Sequence, residues 1–428
     1  KYVLVATNVP YLGSGSHTDS LREFCTLRYP DAGADLATVF IERCREFTRN
    51  FCSCAVVAPQ NWLFLVGYEA FRIKMLKQQS WKILCWLGPG AFRTISGEVV
   101  QPVLLVFSNH HPQPKNAVRG IDVSIFNAPE KKAEMLYSAE VQQTLQHEQL
   151  DRPGFRFSFD RLDKGPLLKK YASSFQGIKT GDDSRFRRYF WEVLVIEPRW
   201  RLYQSTVAQT KPYGGLEYIL DWKNDGKDLA RLQGLGAWNR QGVAVSLTGE
   251  LRCALYVGGL FDSNMSAVVV SKPSDLDAVW AFCSSGAMND AVRATFRKKN
   301  ASDASLVEVP FDLVHWQEVA DAAGPLPEPY SNDPTQWLFE GDPADSTEPL
   351  QVAVARLAGY QWPHQTDDAL TPLADEDGIL CLPSVAGEAP AAERLMALLA
   401  TAYGDSWNLE RQRALLAGVD FKGEGLQE

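Results

Sequence analysis

Tyr2-Val3-Leu4-Val5-Ala6-Thr7-Asn8-Val9-Pro10-Tyr11-Leu12-Gly13 opens the chain, and its reading decides the fold. Tyr2 to Thr7 is a short β-rich run that breaks into a proline-stiffened turn. Helical spacing comes next at Asp19 to Arg28 and at Asp35 to Arg49, where Leu36, Val39, Phe40, Cys44 and Phe47 share one face. Ser53 to Ala58 is a buried-strand run, Tyr68 to Gln79 is amphipathic, and Trp81 to Leu87 and Val99 to Phe107 return to strand. This β-α-β-α-β-β rhythm predicts an open α/β sheet. Ligands collect at the carboxyl edge of such sheets, so an amide, a proline turn and an aromatic placed there are positioned for chemistry.

The chemistry this corner suits can be stated in terms of hydrogen bonds. An exocyclic amino group conjugated with a purine ring is a poor nucleophile. Two acceptors that bind its N–H bonds favour a pyramidal nitrogen whose lone pair can attack a methyl donor. Asn8 offers one acceptor from its side chain and the Val9 carbonyl the other, while Pro10 locks the turn. Tyr11 offers a flat face for an extruded base. The bland reading of the same residues is an ordinary Asn-x-Pro turn closing a strand.

Length and composition bound the alternatives. The chain has 428 residues, enough for two to four domains, with 45% apolar and 22% charged residues, so wholesale disorder and fibrous repeats are excluded. Apolar runs such as Val103 to Phe107 fall far short of a bilayer span, and no membrane is expected. Eight scattered cysteines read as reduced thiols of a cytoplasmic protein. The Cys52-x-Cys54 pair lacks the second ligand pair of a structural zinc site, and no metal is expected. Residues 317–428 hold 20 Asp plus Glu against 5 Lys plus Arg. That leaves 38 basic and 32 acidic residues in 1–316, where a polyanion could be met. No G-x-x-x-x-G-K-[ST] loop or G-x-S-x-G elbow occurs, which argues against an ATPase or a serine hydrolase.

Beyond residue 108 the texture divides the chain. Residues 109–170 are polar and punctuated by proline, with a helical stretch at Ala133 to Gln149, and suit a connector. Residues 171–316 carry short strands at Trp191 to Ile196, Val243 to Ser246 and Ala267 to Val270. Helical spacing appears at Leu276 to Cys283 and Met288 to Phe296, and the whole predicts a separate mixed α/β domain. Residues 317–428 hold ten of the 24 prolines, yet Leu350 to Leu357 and Ala391 to Tyr403 keep helical pattern, so an ordered acidic appendage is expected.

Asn8-Val9-Pro10-Tyr11 resembles the Asn-Pro-Pro-Tyr motif of amino-methyltransferases. The sequence after it is similar to the adenine-specific DNA methyltransferases of type IIG restriction-modification systems and of BREX phage defence, the PglX family, with the DISARM methylase a near neighbour. The likeness runs through Gly13-Ser14-Gly15, Ala34-Asp35-Leu36, Ala58-Pro59-Gln60-Asn61-Trp62, Gly90-Ala91-Phe92 and Gly97-Glu98-Val99-Val100. It reaches Gln176-Gly177-Ile178-Lys179-Thr180-Gly181, which is similar to the opening of a target-recognition domain. The resemblance covers roughly residues 1–310.

It implies part of a Rossmann-like class I methyltransferase sheet over 1–108, a DNA-binding target-recognition domain over 171–316, and transfer of methyl from S-adenosylmethionine to adenine N6 in double-stranded DNA. Asn8 and the Val9 carbonyl would hold the amine, with Pro10 fixing the turn. Tyr11 would stack on the flipped base, Phe92 would close the pocket, and Asp35 would flank the methyl-donor site. Val9 departs from the usual first proline. The family's Phe-x-Gly-x-Gly cofactor turn precedes this motif, so a missing N-terminal half of the same polypeptide, or an associated chain, is expected as partner, with other defence-system subunits beside it. The alternative is a catalytically degenerate DNA-binding specificity subunit. A methyltransferase for protein glutamine or RNA is a third reading, set against the long domain after residue 170.

Each remaining signal has a plain structural reading beside the functional one. Asp35 is a natural helix N-cap and Phe92 a natural core aromatic. Lys179, Arg185, Arg187 and Arg188 would contact phosphate, or simply be solvated charges. Trp238, Asn239 and Arg240, with Gln241 after them, would reach base edges, or form an unpartnered surface loop. His110-His111 has no carboxylate or cysteine at metal-ligand spacing.

Overall fold

A computed structural model describes residues 1–92, 100–160, 165–193, 196, 198–296, 298, 300–419 and 421. The chain forms two compact units. The first holds residues 1–166 with 290–298 and 308–310; the second holds 167–289, 299–307 and 311–428.

In the first unit the elements are β1 (Tyr2–Asn8), α1 (Asp19–Arg28), α2 (Leu36–Phe47), β2 (Thr48–Pro59), α3 (Glu69–Gln78), β3 (Ser80–Trp86), β4 (Pro102–Ser108), β5 (Ala117–Asp122), α4 (Pro129–Ser138) and β6 (Gln142–Leu145). The expected β-α-β-α-β-β rhythm is there. One six-stranded sheet runs in the order β1-β2-β4-β3-β5-β6. β1 and β2 are parallel, β3 and β5 are parallel, and β4 and β6 run against their neighbours.

Residues 109–145 differ from the connector expected of them, since they supply β5 and β6 to this sheet. Their strands are short and polar, and membership comes from pairing, not from an apolar pattern. At Gly120 a Cβ would collide with the Leu84 carbonyl and the Phe159 ring, so only glycine lets β5 lie this close to β3. The helical stretch expected at Ala133 to Gln149 is instead α4 and then β6. The expected strand from Val99 starts at Pro102, and Gly97, Glu98 and Val99 lie outside the described residues.

The core beneath the sheet is aromatic. Trp62 meets Phe71 at 5.3 Å and Trp81 at 5.5 Å, both edge-on, and Trp81 stacks on Phe157 at 5.4 Å. Each such buried ring contributes about 2–3 kcal/mol through lost water contact, and edge-on pairs add ~1 kcal/mol. Arg72, 1% exposed, crosses this core. Its guanidinium donates to the carbonyls of Trp62 (2.8 Å), Leu65 (2.5 Å) and Gly154 (2.7 Å). Burial, with the Arg156 charge second, lowers its pKa to about 10, so it remains a cation at neutral pH.

The second unit contains β7 (Ala172–Gln176), α5 (Asp183–Phe186), β8 (Arg187–Tyr189), β9 (Trp200–Gln204), β10 (Tyr218–Asp221), β11 (Gly242–Ser246), β12 (Cys253–Tyr256), β13 (Leu260–Phe261) and β14 (Met265–Val270). They form two four-stranded sheets, β13-β9-β10-β8 and β12-β11-β14-β7. β11 and β14, buried at every residue, are central in the second. The strand expected at Trp191 to Ile196 is not seen at its start, where Phe190–Glu192 is a 3-10 turn; Leu194 and Val195 lie outside the described residues.

Helices α6 (Leu276–Ser284), α7 (Ala287–Thr295), α8 (Asp303–Val307), α9 (Leu313–Ala323), α10 (Pro349–Leu357), α11 (Ala391–Tyr403) and α12 (Leu409–Gly418) complete the chain. The acidic stretch is more than an appendage to this unit. Trp337, Leu338, Phe339, Val352 and Trp362 share one core cluster with Phe190, Leu216 and Ile219. Backbone bonding reinforces it: the Trp337 N–H donates to the Leu216 carbonyl at 2.9 Å, and the Leu216 N–H to Gln336 Oε1 at 2.9 Å. Three large apolar residues in a row outweigh the surrounding acidity once buried.

Candidate functional site

β1 ends at Asn8, opposite Val57 of the parallel strand β2. The Asn8 side chain is exposed, and the Tyr11 hydroxyl donates to its Oδ1 at 3.1 Å. An amide oxygen has two lone pairs, so one stays open while the tyrosine fixes the amide's orientation. Burial pushes the Tyr11 hydroxyl up to about 12, which keeps it a donor across the neutral range. Pro10 is exposed and Val9 is buried at 3%.

The register gives the Val9 backbone a special position. Its N–H donates to the Val57 carbonyl at 3.1 Å. In a parallel ladder a residue that donates to one partner accepts from the N–H two residues further along, here residue 59. That residue is Pro59, which has no N–H. The Val9 carbonyl accordingly accepts no hydrogen bond among the described residues, and two acceptors, Asn8 Oδ1 and Val9 O, stand unclaimed or half-claimed on one corner.

The turn after the corner is pinned to α2. The Leu12 carbonyl accepts the Leu36 N–H at 2.9 Å and bonds His17 Nε2 at 2.9 Å, and the Ser14 N–H donates to the Ala34 carbonyl at 3.0 Å. Asp35 caps α2: its Oδ1 accepts from the Ala37 N–H at 2.8 Å and from the Leu12 N–H at 3.4 Å. The helix-capping role expected of it is therefore present. Its Oδ2 takes no hydrogen bond among the described residues. Tyr68 is pushed up to about 12 by burial and, second, by the Asp35 charge, which places a second tyrosine hydroxyl in the field of this carboxylate. Phe92 is partly exposed in the segment after β3.

Sequence reasoning misses Pro59, His17 and Tyr68. Pro59 enters it only as one residue of a family likeness, and nothing short of the strand register reveals what its missing N–H leaves open. A lone histidine and a lone tyrosine carry no positional signal.

In the second unit the expected DNA-contacting residues divide. Lys179 and Arg185 are exposed, with Arg185 lying over the Phe186 ring at 4.7 Å. Arg188 donates to the carbonyls of Ser184 and Arg187 at 2.5 and 2.7 Å. Arg187 is occupied: it bridges Asp183 and Asp262 at 3.4 Å each and lies 4.3 Å from the centre of the Tyr218 ring. Trp238 is half-buried, edge-on to Trp222 at 5.8 Å, and packs on the core around Phe261 and Met265. Asn239 and Arg240 are exposed and line a cavity of about 980 Å³. Asn239 holds φ at +57°, a conformation its short polar side chain tolerates.

No family model matches the sequence. The resemblance to adenine-specific methyltransferases does stand in comparison with curated proteins. The chain is 24% identical to "Adenine-specific methyltransferase PglX" of Lacticaseibacillus casei (strain Zhang), over 87% of this chain and 35% of that one. It is 29% identical to "Adenine-specific methyltransferase BrxX" of Escherichia coli O9:H4 (strain HS), over 64% of this chain and 25% of that one. The chain thus spans about a third or less of the length of these relatives. Among solved structures, the Type IIL restriction-modification enzyme MmeI in complex with DNA aligns over 96% of this chain and 56% of that one, at 12% identity and a TM-score of 0.48. Among the described residues no helix is long and apolar enough to cross a membrane.

Proposed function

We propose that this chain is the target-amine-holding and DNA-recognition part of a site-specific adenine-N6 DNA methyltransferase of a phage-defence or restriction-modification system. The observation that carries the reading is the corner of Asn8 and Val9. It presents two acceptors at the carboxyl edge of a parallel strand pair, one oriented by Tyr11 and the other left open because residue 59 is proline. The names of the two curated relatives support the same chemistry, and the parallel pair β1-β2 agrees with part of a Rossmann-like sheet.

In this reading the two N–H bonds of an extruded adenine point at Asn8 Oδ1 and the Val9 carbonyl. Binding both draws the amine nitrogen out of conjugation and turns its lone pair outward. Tyr11 packs against the base and keeps water from the acceptors, with Phe92 on the other face. S-adenosylmethionine, when bound, supplies an electrophilic methyl group. Asp35, whose Oδ1 is pinned to the same corner and whose Oδ2 stays open, is the residue here that would accept an N–H or O–H from that molecule. The amine sheds its proton after the N–C bond has formed, so no side-chain base is required at the corner. In the second unit Lys179, Arg185 and Arg188 would meet phosphates, and Asn239 and Arg240 base edges. Arg187 and Trp238 would hold that surface from behind.

The test is transfer of a labelled methyl group to a cognate duplex by the full-length protein. Asn8→Ala should lose methylation and keep duplex binding; full methylation would overturn the assignment. One observation favours the rival, a DNA-binding subunit without transfer: the Tyr11 hydroxyl already fills one lone pair of Asn8. That version predicts duplex binding with no heat of S-adenosylmethionine binding in calorimetry.

A further inference from the structure

The opposite end of the same sheet carries a basin unlike the Asn8 corner. It opens where β2, β3 and β5 begin and β4 ends, six residues along β2 from Val57, roughly 20 Å away at 3.3 Å per residue. Its volume is about 1010 Å³. Arg45, Lys82, Lys115 and Arg119 line it together with His110 and His111, and among the described residues no Asp or Glu does.

Two of the cations, Lys82 and Arg119, are held by neutral groups. Lys82, half-buried, donates from Nζ to Ser80 Oγ at 2.8 Å and to Asn116 Oδ1 at 3.2 Å. Arg119 donates from Nε to Gln143 Oε1 at 3.2 Å. Lys115 is exposed and has no carboxylate partner among the described residues. Of the four, Arg45 alone faces an acid among the described residues, Glu42 at 3.8 Å. Amide and hydroxyl oxygens orient an ammonium without cancelling its charge, and Lys82 keeps a third N–H to give. Lys82 is partly desolvated and Lys115 and Arg119 are exposed beside it, so an anion can reach all three.

Two further features narrow the anion's chemistry. Phe51 is 80% exposed and stacks on His110, ring centres 5.3 Å apart and 23° from parallel. Its φ of +63° is strained for an aromatic residue. The bulge that imposes it is closed by Phe51 N–H to Asn109 O at 3.1 Å and Asn109 N–H to Cys52 O at 2.9 Å. Bulges re-aim side chains, and this one turns a ring toward solvent beside the cations. Gln79, 2% exposed, also lines the basin, and its amide oxygen has no hydrogen-bond partner among the described residues. That oxygen is buried as well as unpaired. Cations beside an exposed stacked ring match a phosphate and a base face.

We propose that this basin is a second binding site, separate from the Asn8 corner, for a nucleoside phosphate unit. The phosphate lies against Lys82, Lys115 and Arg119, and the base stacks on Phe51. The unit could come from a free mononucleotide or from a single-stranded nucleic acid passing the back of the sheet, and the two sources separate in one experiment.

The full-length protein is titrated with a fluorescent octathymidylate and with thymidine monophosphate, probes that contain no adenine and so do not engage the amine-holding corner. The wild type is compared with Lys82→Gln/Lys115→Gln/Arg119→Gln and with Phe51→Ala, each first shown by circular dichroism to melt as the wild type does. The triple variant should bind octathymidylate at least tenfold more weakly and lower the slope of log affinity against log salt by about two, at ~0.7 per lost phosphate contact. Phe51→Ala should weaken binding about tenfold with the salt slope unchanged, since stacking is uncharged. Thymidine monophosphate bound as tightly as the octamer supports the site with the free nucleotide as its source; tighter octamer binding supports it with the strand. Neither variant weakening either probe overturns the proposal. So does polyglutamate displacing the octamer equally from wild type and Phe51→Ala, because the basin would then take an acidic protein segment.

Discussion

The two ends of the six-stranded sheet are built from the same strands and present opposite chemistry. At the carboxyl end of β1, Asn8 and Val9 offer oxygen acceptors with no cation bound to them. At the amino ends of β2, β3 and β5, Lys82 and Arg119 offer N–H donors whose partners are neutral, with the exposed Lys115 beside them. In each case the vacancy is produced by a partner that cannot complete the pairing: a proline without an N–H at residue 59, and amides or hydroxyls where a carboxylate would have neutralised charge. A sheet end becomes a site when its hydrogen-bonding sum is left open on one side.

The comparison can be broken most severely by removing what supports both ends. Arg72→Met leaves three carbonyl acceptors, one buried and two partly buried, without their donor and should cost about 3–5 kcal/mol, the range for disrupting a buried charged group. Urea denaturation monitored by tryptophan fluorescence would show it, and both ends should fail together. Next is Asn8→Ala, which should lower methyl transfer by the full-length protein about 10²–10³-fold, the scale for losing one oriented hydrogen-bonding group from a reacting site. It should leave octathymidylate affinity at the basin unchanged; a parallel loss would mean the two ends are not independent.

Pro59→Ala is smaller and sharper. The new N–H can reach the Val9 carbonyl, so transfer should drop about tenfold while thermal stability holds or rises, since a ladder hydrogen bond adds ~1 kcal/mol. Unchanged transfer would show that the Val9 carbonyl does not hold the amine.

The smallest effect concerns pH. The Tyr11 hydroxyl sits above its ordinary 10, at about 12, because burial disfavours its anion. The folded pKa lies above the unfolded one, so its contribution is complete below pH 10 and is lost as pH rises from 10 to 12. Methyl transfer should therefore show no alkaline limb from this group between pH 7 and 10. Tyr11→Phe should leave that plateau flat while lowering its height, which an initial-rate profile would reveal.

Several elements were legible because local periodicity and capping were enough. Asp19 to Arg28 reads as a helix and is α1, with Thr18 accepting the Leu21 N–H at 3.4 Å. Ala391 to Tyr403 reads as a helix and is α11. The acceptor pair was legible only as types of atom, an amide and a carbonyl beside a proline. The strands Ala117–Asp122 and Gln142–Leu145 were not legible: AVRGID and QQTL have no alternation of their own and become strands by pairing with β3 and with each other. Nor was the shared core of the acidic stretch, because residues 120 apart in sequence, Leu216 and Gln336, complete each other's hydrogen bonds.

By itself the sequence determined which segments would be strands or helices where apolar spacing is strong, and that an amide, a stiff turn and an aromatic ring would come after the first strand. Those properties arise from each residue's own backbone and side-chain preferences and need no distant partner. Tertiary structure alone decided that Pro59 faces Val9 and that Lys82, Lys115 and Arg119 line one basin with Phe51 with no carboxylate partner among the described residues. Whether a polar group is satisfied depends on what the rest of the chain brings within ~3 Å of it.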